Sequence, residues 1–202
     1  MINVNSVRDF LDNLPKEEVT VVYGESATGK TTLAFQAVVD SLRKGEKVFF
    51  VDSERSFSVD RLRQMEPSID SYLDNLKLFH PRSFSEQSDI LESLPVNCGL
   101  IVVDSLSKYY RIDLKKNYSE ANILAVGQLR RLHKFVDAKI PVILINQVYS
   151  GFSVEGVVPV GKNLIKKWSK VLVRLDKAPG KFVIEKPLSK EFGFAIVNEG
   201  LV

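Results

Sequence analysis

Gly24-Glu25-Ser26-Ala27-Thr28-Gly29-Lys30-Thr31 fits the pattern G-x-x-x-x-G-K-[ST] of a phosphate-binding loop. In that pattern a glycine-rich turn at a helix N-terminus points unpaired backbone N–H groups at an anion, and the helix dipole adds to the attraction. Lys30 would reach the β- and γ-phosphates, and Thr31 would offer its hydroxyl to Mg²⁺. The bland alternative is a glycine turn beside a surface lysine, and the flanking sequence argues against it. Glu18 to Tyr23 reads as a short strand rich in β-branched residues. Thr31 to Leu42 reads as a helix, with Leu33, Ala37, Val38 and Leu42 on one face. Strand, loop and helix come in the order a nucleotide site requires.

Working outward, apolar strands alternate with helices. Residues 47–52, 76–79, 100–104 and 141–146 read as strands, the third being the clearest buried one. Helices are expected over 4–14 (capped by Asn5 or Ser6), 59–65, 85–94 and 119–136. Such alternation predicts a parallel, doubly wound sheet. After Ser150 the pattern changes: residues 170–175, 181–185 and 192–197 read as strands separated by turns such as Ala178-Pro179-Gly180, with no helices between them. The expected fold is α/β, a mostly parallel doubly wound sheet finishing in antiparallel strands, with residues 1–202 as a single core domain.

Composition bounds the function. The 202 residues are 45% hydrophobic and 26% charged, ordinary for a soluble globular protein with a substantial core. The lone Cys98 excludes a disulfide framework or a cysteine-based zinc site, and His80 and His133 are too isolated to suggest a metal cluster. No apolar run approaches the roughly 20 residues a membrane span needs, and no basic-then-apolar leader opens the chain, so a cytoplasmic location is expected. The net charge of +3 is mild, but Lys108, Arg111, Lys115 and Lys116 fall in one segment and Lys162, Lys166, Lys167 and Lys170 in another. Either cluster alone could be a solvated face.

Three strands end in polar residues. Asp104 closes 100–103, where a second Mg²⁺-organising carboxylate belongs; Glu54 follows 47–52 and could activate water, with Asp52 the alternative. Asn146-Gln147 close 142–145, where a neutral amide could sense a γ-phosphate.

Together these motifs resemble the RecA-type ATPases, and within them the archaeal RadA and RadB recombinases. Residues 50–62 look like their strand, catalytic glutamate and following helix, and residues 100–105 like their second nucleotide motif. Residues 142–150 and 159–170 are similar to the segments entering and leaving the second DNA-binding loop, while 183–186 and 194–200 echo the RadB C-terminal end. The resemblance implies a RecA-like ATPase core without a separate N-terminal helical DNA-binding domain. It implies Lys30 and Thr31 on phosphates and Mg²⁺, Asp104 on Mg²⁺, Glu54 as water-activating base, Gln147 as γ-phosphate sensor and Arg61 against adenine. The implied ATP-binding set is Gly24, Glu25, Ser26, Ala27, Thr28, Gly29, Lys30, Thr31 and Thr32, with Arg61 and Asp104.

It also gives the basic clusters a meaning. Residues 108–117 fall where a first DNA-binding loop lies and 149–162 where the second lies. Lys108, Arg111, Lys115, Lys116, Lys162, Lys166 and Lys167 would then neutralise phosphates of single-stranded DNA. Tyr109 and Tyr110 could stack on bases or pack against the next helix, and Trp168 is expected in the core. The implied function is a recombination and repair accessory assisting a RadA-type main recombinase, with Holliday-junction-processing proteins as further possible partners. Two departures point to slow hydrolysis. Pro187-Leu188 replaces a His-Arg pair, and Leu14-Pro15-Lys16-Glu17 replaces a glycine-rich turn. The alternative is a RecA-fold regulatory or signalling ATPase that never meets DNA; a third reading is a module that only binds recombinase subunits.

Overall fold

The computed structural model describes residues 4–148, 159–177, 179–187 and 189–202. Its centre is an eight-stranded sheet in the order β3-β2-β4-β5-β1-β6-β7-β8. The strands are β1 (Val19–Gly24), β2 (Val48–Asp52), β3 (Leu76–Phe79), β4 (Leu100–Asp104), β5 (Val142–Asn146), β6 (Val171–Asp176), β7 (Lys181–Lys186) and β8 (Lys190–Gly193). The strands from β3 to β6 run parallel, and β7 and β8 add antiparallel to the end.

Side chains alternate across the sheet with a period of two, so each central strand feeds two cores. Val48, Phe50, Leu100 and Val102 face one cluster with α1 (Val7–Asp12) and α2 (Lys30–Arg43). Phe49, Val51, Ile101 and Val103 face the other, covered by α4 (Phe84–Ser93) and α6 (Tyr118–Asp137). Continuous apolar runs are what a sheet covered on both faces requires. The side chains of Ser6, Ser58, Ser83 and Asn117 cap α1, α3 (Val59–Met65), α4 and α6 by accepting a backbone N–H of the first turn.

The expected strands and long helices stand within a residue or two of their predicted bounds, apart from the first helix, which is shorter. Four features differ. A 3₁₀ segment, Ile69–Asn75, lies between α3 and β3. Residues expected as a loop over 108–117 are largely helical as α5 (Ser107–Leu114), because Tyr110 is buried against Phe84 and α6. β6, grouped by sequence with the antiparallel strands, lies parallel to β1. The expected strand 192–197 breaks at Phe194-Ala195: its first half ends β8, and Ile196–Val197 (β9) pairs instead with Gly200–Leu201 (β10). The segment leaving the expected second loop forms α7 (Lys162–Trp168), while residues 149–158 of that loop, Ala178 of the expected turn and Leu188 lie outside the described residues.

Candidate nucleotide site and nucleic-acid face

The register brings the chemistry to one crest. Asp52 of β2 lies beside Asp104 of β4, Asp104 beside Ile145 of β5, and Tyr23 of β1 beside Asn146. The C-terminal ends of these parallel strands therefore form one edge, where open α/β sheets hold their ligands.

On that edge the phosphate loop enters α2 through Gly29, at φ 95° in the left-handed region that favours glycine, and no side chain caps the helix. The first N–H groups of α2 thus have no side-chain cap and suit a phosphate. Lys30 is 9% exposed, and its Nζ donates to the loop's own Glu25 carbonyl at 2.5 Å. Burial lowers the Lys30 pKa, opposed by the charges of Asp104 and Glu54. The Thr31 hydroxyl donates to Asp104 Oδ2 at 2.7 Å. Burial raises the Asp104 carboxyl to about 6, against the Thr31 bond. Among the described residues no group of three or more His, Cys, Asp or Glu could cage a metal. A hydroxyl and a carboxylate beside a phosphate loop instead fit Mg²⁺, which takes few protein ligands and completes its shell with phosphate and water.

Glu54 stands at the far side of the same edge. Its Oε1 accepts from the Ser105 hydroxyl at 2.5 Å and from Gln147 Nε2 at 2.9 Å. Asp52, the alternative base, is fully buried and accepts the backbone N–H groups of Ser56 and Phe57, closing the loop after β2. Glu54 is the carboxylate left facing the crest. Asn146 turns inward, its Nδ2 donating to the Val160 carbonyl at 2.8 Å, so Gln147 alone of that pair meets Glu54.

Sequence reasoning missed the residues that hold this pair. Ser105 and Ser107 follow Asp104 directly, and the polar step in Asp104-Ser105-Leu106-Ser107 was the available signal. Ser107 Oγ accepts the Gln147 backbone N–H at 2.9 Å and lies 3.1 Å from Ser105 Oγ. A buried relay was not legible at all: the Ser53 hydroxyl donates to Gln87, Gln87 to Gln128, and Gln128 to the Phe84 carbonyl.

Arg61 donates to the carbonyls of Val197 and Asn198, and Gln36 exchanges two hydrogen bonds with the backbone of Leu201. The β9–β10 hairpin is thereby laid over the start of α2, with Ile196 and Leu201 near Gly29. The residue expected against adenine thus borders a wall made by the last residues of the chain.

The two basic segments meet on the same side. Val160 bonds back to Gln147, and Gly161, which starts α7, abuts the Tyr110 ring of α5. Lys115, Lys116, Lys166 and Lys167 are exposed, and Lys162 is half-buried. Lys116 also pairs with Asp113 at 3.1 Å. Lys108 turns inward, donating to the Ser53 carbonyl at 2.5 Å, and Arg111 donates to Gln147 Oε1 at 3.1 Å. Tyr110 is buried and donates to Asn122 of α6, as the packing alternative has it, whereas Tyr109 is half-buried and donates to the Pro81 carbonyl ahead of α4. Trp168 packs half-buried on His133. Lys186, which precedes the Pro187 departure, donates to the Lys166 and Ser169 carbonyls at the end of α7, a favourable place for a cation.

No helix among the described residues is long and apolar enough to cross a membrane. The family model described as the RecA N-terminal domain matches residues 10–179. The chain is 34% identical to the DNA repair and recombination protein RadB of Methanococcus maripaludis (strain C5), over 94% of this chain and 93% of the relative. It is 37% identical to the RadB of Thermococcus onnurineus, over 86% of this chain and 80% of the relative. A crystal structure of the RadB recombinase superimposes with a TM-score of 0.77 at 34% identity, covering 93% of this chain and 90% of the other. A RecA-like fold of this kind implies nucleotide binding with Mg²⁺, for which Lys30, Thr31 and Asp104 are suitably disposed. A phosphate loop on a mostly parallel sheet, with these relatives along nearly its whole length, makes the chain a member of the RecA family, in its RadB group.

Proposed function

We propose that this chain is an ATP-gated, DNA-binding accessory of homologous recombination and repair, in which ATP acts mainly as a conformational switch and hydrolysis is slow. The observation that carries the reading is the meeting at one sheet edge of a nucleotide-side pair, Thr31–Asp104, and a Glu54–Gln147 pair that touches the basic helix α5. The relatives named for DNA repair and recombination favour it over a regulatory ATPase that never meets DNA. Single-stranded DNA is the expected nucleic acid, a RadA-type recombinase the protein it would assist, and Holliday-junction-processing proteins further partners. The chain would work as a single ATPase core.

Lys30 and the first N–H groups of α2 would bind the phosphates, and Thr31 and Asp104 would hold Mg²⁺. Bound Mg²⁺ supplies charge neutralisation at the phosphates. Glu54, held by two donors, would accept a proton from a water at the crest, and Gln147 would orient that carboxylate. Lys115, Lys116, Lys166 and Lys167 would neutralise the DNA backbone.

The test is the ATP hydrolysis rate as single-stranded DNA is titrated in at low salt, with Glu54→Gln alongside. Little turnover under all conditions, with ATP still bound, is expected. Strong DNA-stimulated turnover lost in Glu54→Gln would overturn the switch reading. Oligonucleotide affinity unchanged on neutralising Lys115, Lys116, Lys166 and Lys167 together would sink the DNA reading.

A further inference from the structure

Gln147 is held between two groups of opposite hydrogen-bonding character. On one side Arg111, a guanidinium that can only donate, gives an N–H to Oε1 at 3.1 Å. On the other the Glu54 carboxylate, which when ionised only accepts, takes Nε2–H at 2.9 Å. An amide has one acceptor end and one donor end, so this bracketing leaves it a single orientation. The backbone of Gln147 is fixed by the same helix: its N–H goes to Ser107, four residues before Arg111 and on the same face of α5. Ser107 also touches Ser105, which donates to Glu54. Helix α5 therefore grips Gln147 twice and reaches Glu54 by two routes.

We infer that Arg111 is a positioning residue that couples occupancy of the exposed face of α5 by a phosphate oxyanion to the placement of Glu54, acting through the Gln147 amide. The inference rests on the DNA-binding reading above and assigns Arg111 a task beyond simple charge neutralisation. Its guanidinium is exposed and carries five N–H donors, so donors beyond the one on Gln147 can take a phosphate oxygen. A phosphate bound there pins the guanidinium, and with it the amide and the carboxylate at the nucleotide edge. Without the guanidinium, Gln147 is held from the Glu54 side alone. Coupling of this kind is reciprocal: nucleotide must tighten the grip on DNA by the factor that DNA tightens the grip on nucleotide.

The experiment measures the dissociation constant of a fluorescent single-stranded oligonucleotide by anisotropy, with and without a non-hydrolysable ATP analogue and Mg²⁺. The wild type is expected to bind at least about fivefold tighter with nucleotide. Arg111→Met should bring that ratio close to one. Arg111→Lys keeps the charge but not the planar fork, so it should also lose most of the ratio. Gln147→Leu should abolish the ratio, and adding Arg111→Met to it should change the ratio no further. If Arg111→Met weakens binding equally with and without nucleotide and leaves the ratio intact, Arg111 is a phosphate contact only and the inference is wrong. A wild-type ratio near one overturns it equally. A wild type that binds no oligonucleotide in either state removes the DNA reading itself, a distinct failure that takes the inference with it.

Discussion

At Cys98 burial is the largest influence on reactivity. The half-buried thiol is pushed up to about 11 by desolvation, opposed by the backbone N–H groups of Leu100 and of its own residue. At pH 8 its thiolate fraction is about a hundredth of an unperturbed thiol's, so labelling should run about a hundredfold slower in the native protein than in denaturant. The sign of the stability effect follows. Between the ordinary value of 9.0 and about 11 the unfolded chain loses this proton and the folded chain keeps it, so this group makes stability fall as pH rises through that window. A thiol-reactive dye and pH-dependent denaturant titrations would show both. At Gln87, fully buried, the cost is of another kind. Gln87→Leu strands the Ser53 hydroxyl and a Gln128 amide oxygen, and urea unfolding should report a loss of about 1–3 kcal/mol. Ser105 and Ser107 belong to this scale too. Each is a small polar residue whose meaning comes from what it touches, and neither stood out in the sequence.

The phosphate loop is an element whose order in the chain already carries its function, because strand, glycine turn and helix N-terminus are contiguous. The β9–β10 hairpin is the opposite case. Its residues follow β8 and read as one strand with it, yet they leave the sheet and lie against α2 because Gln36 offers a side-chain amide that pairs with Leu201 as a backbone group would. Gly200 is at φ 128°, and a Cβ there would fall 2.2 Å from Gln36 Cδ. Gly200→Ala should therefore undock the hairpin, raising hydrogen exchange at residues 196–201 by tenfold or more while the sheet amides keep their protection. Exchange measured by mass spectrometry decides it. If the hairpin borders the nucleotide, the same variant should also weaken ATP binding.

For the molecule as a whole, the DNA reading is a statement about salt. Exposed Lys115 and Lys116 follow the end of α5, exposed Lys166 and Lys167 stand on α7, and both helices pack on one half of the core, next to the nucleotide edge. Neutralising each one that contacts a phosphate should reduce the slope of log affinity against log salt by about 0.7. Lys108, whose ammonium is committed to the Ser53 carbonyl, should change that slope little when replaced by Met. Anisotropy titrations at four salt concentrations would separate these lysines. Glu54→Gln should cut the slow turnover by at least about a hundredfold while nucleotide affinity is kept, as expected for loss of a general base.

What the sequence determined by itself was whatever is written contiguously. The phosphate loop is set by local backbone conformation, and the parallel sheet by apolar runs long enough to be buried on both faces. The polar residues ending those runs, Glu54, Asp104 and Gln147, were legible because a parallel sheet carries its strand ends to one side. Tertiary structure decided everything that depends on a partner distant in the chain. It committed Asp52 to a loop while leaving Glu54 at the crest, turned Asn146 inward, and made a helix of residues expected as a DNA loop by burying Tyr110. It also set Arg111 against Gln147, 36 positions away. The physical reason is common to all of these. A polar side chain settles where its donors and acceptors are matched, and here the matching groups come from other strands and helices that only the folded chain brings within 3 Å or so.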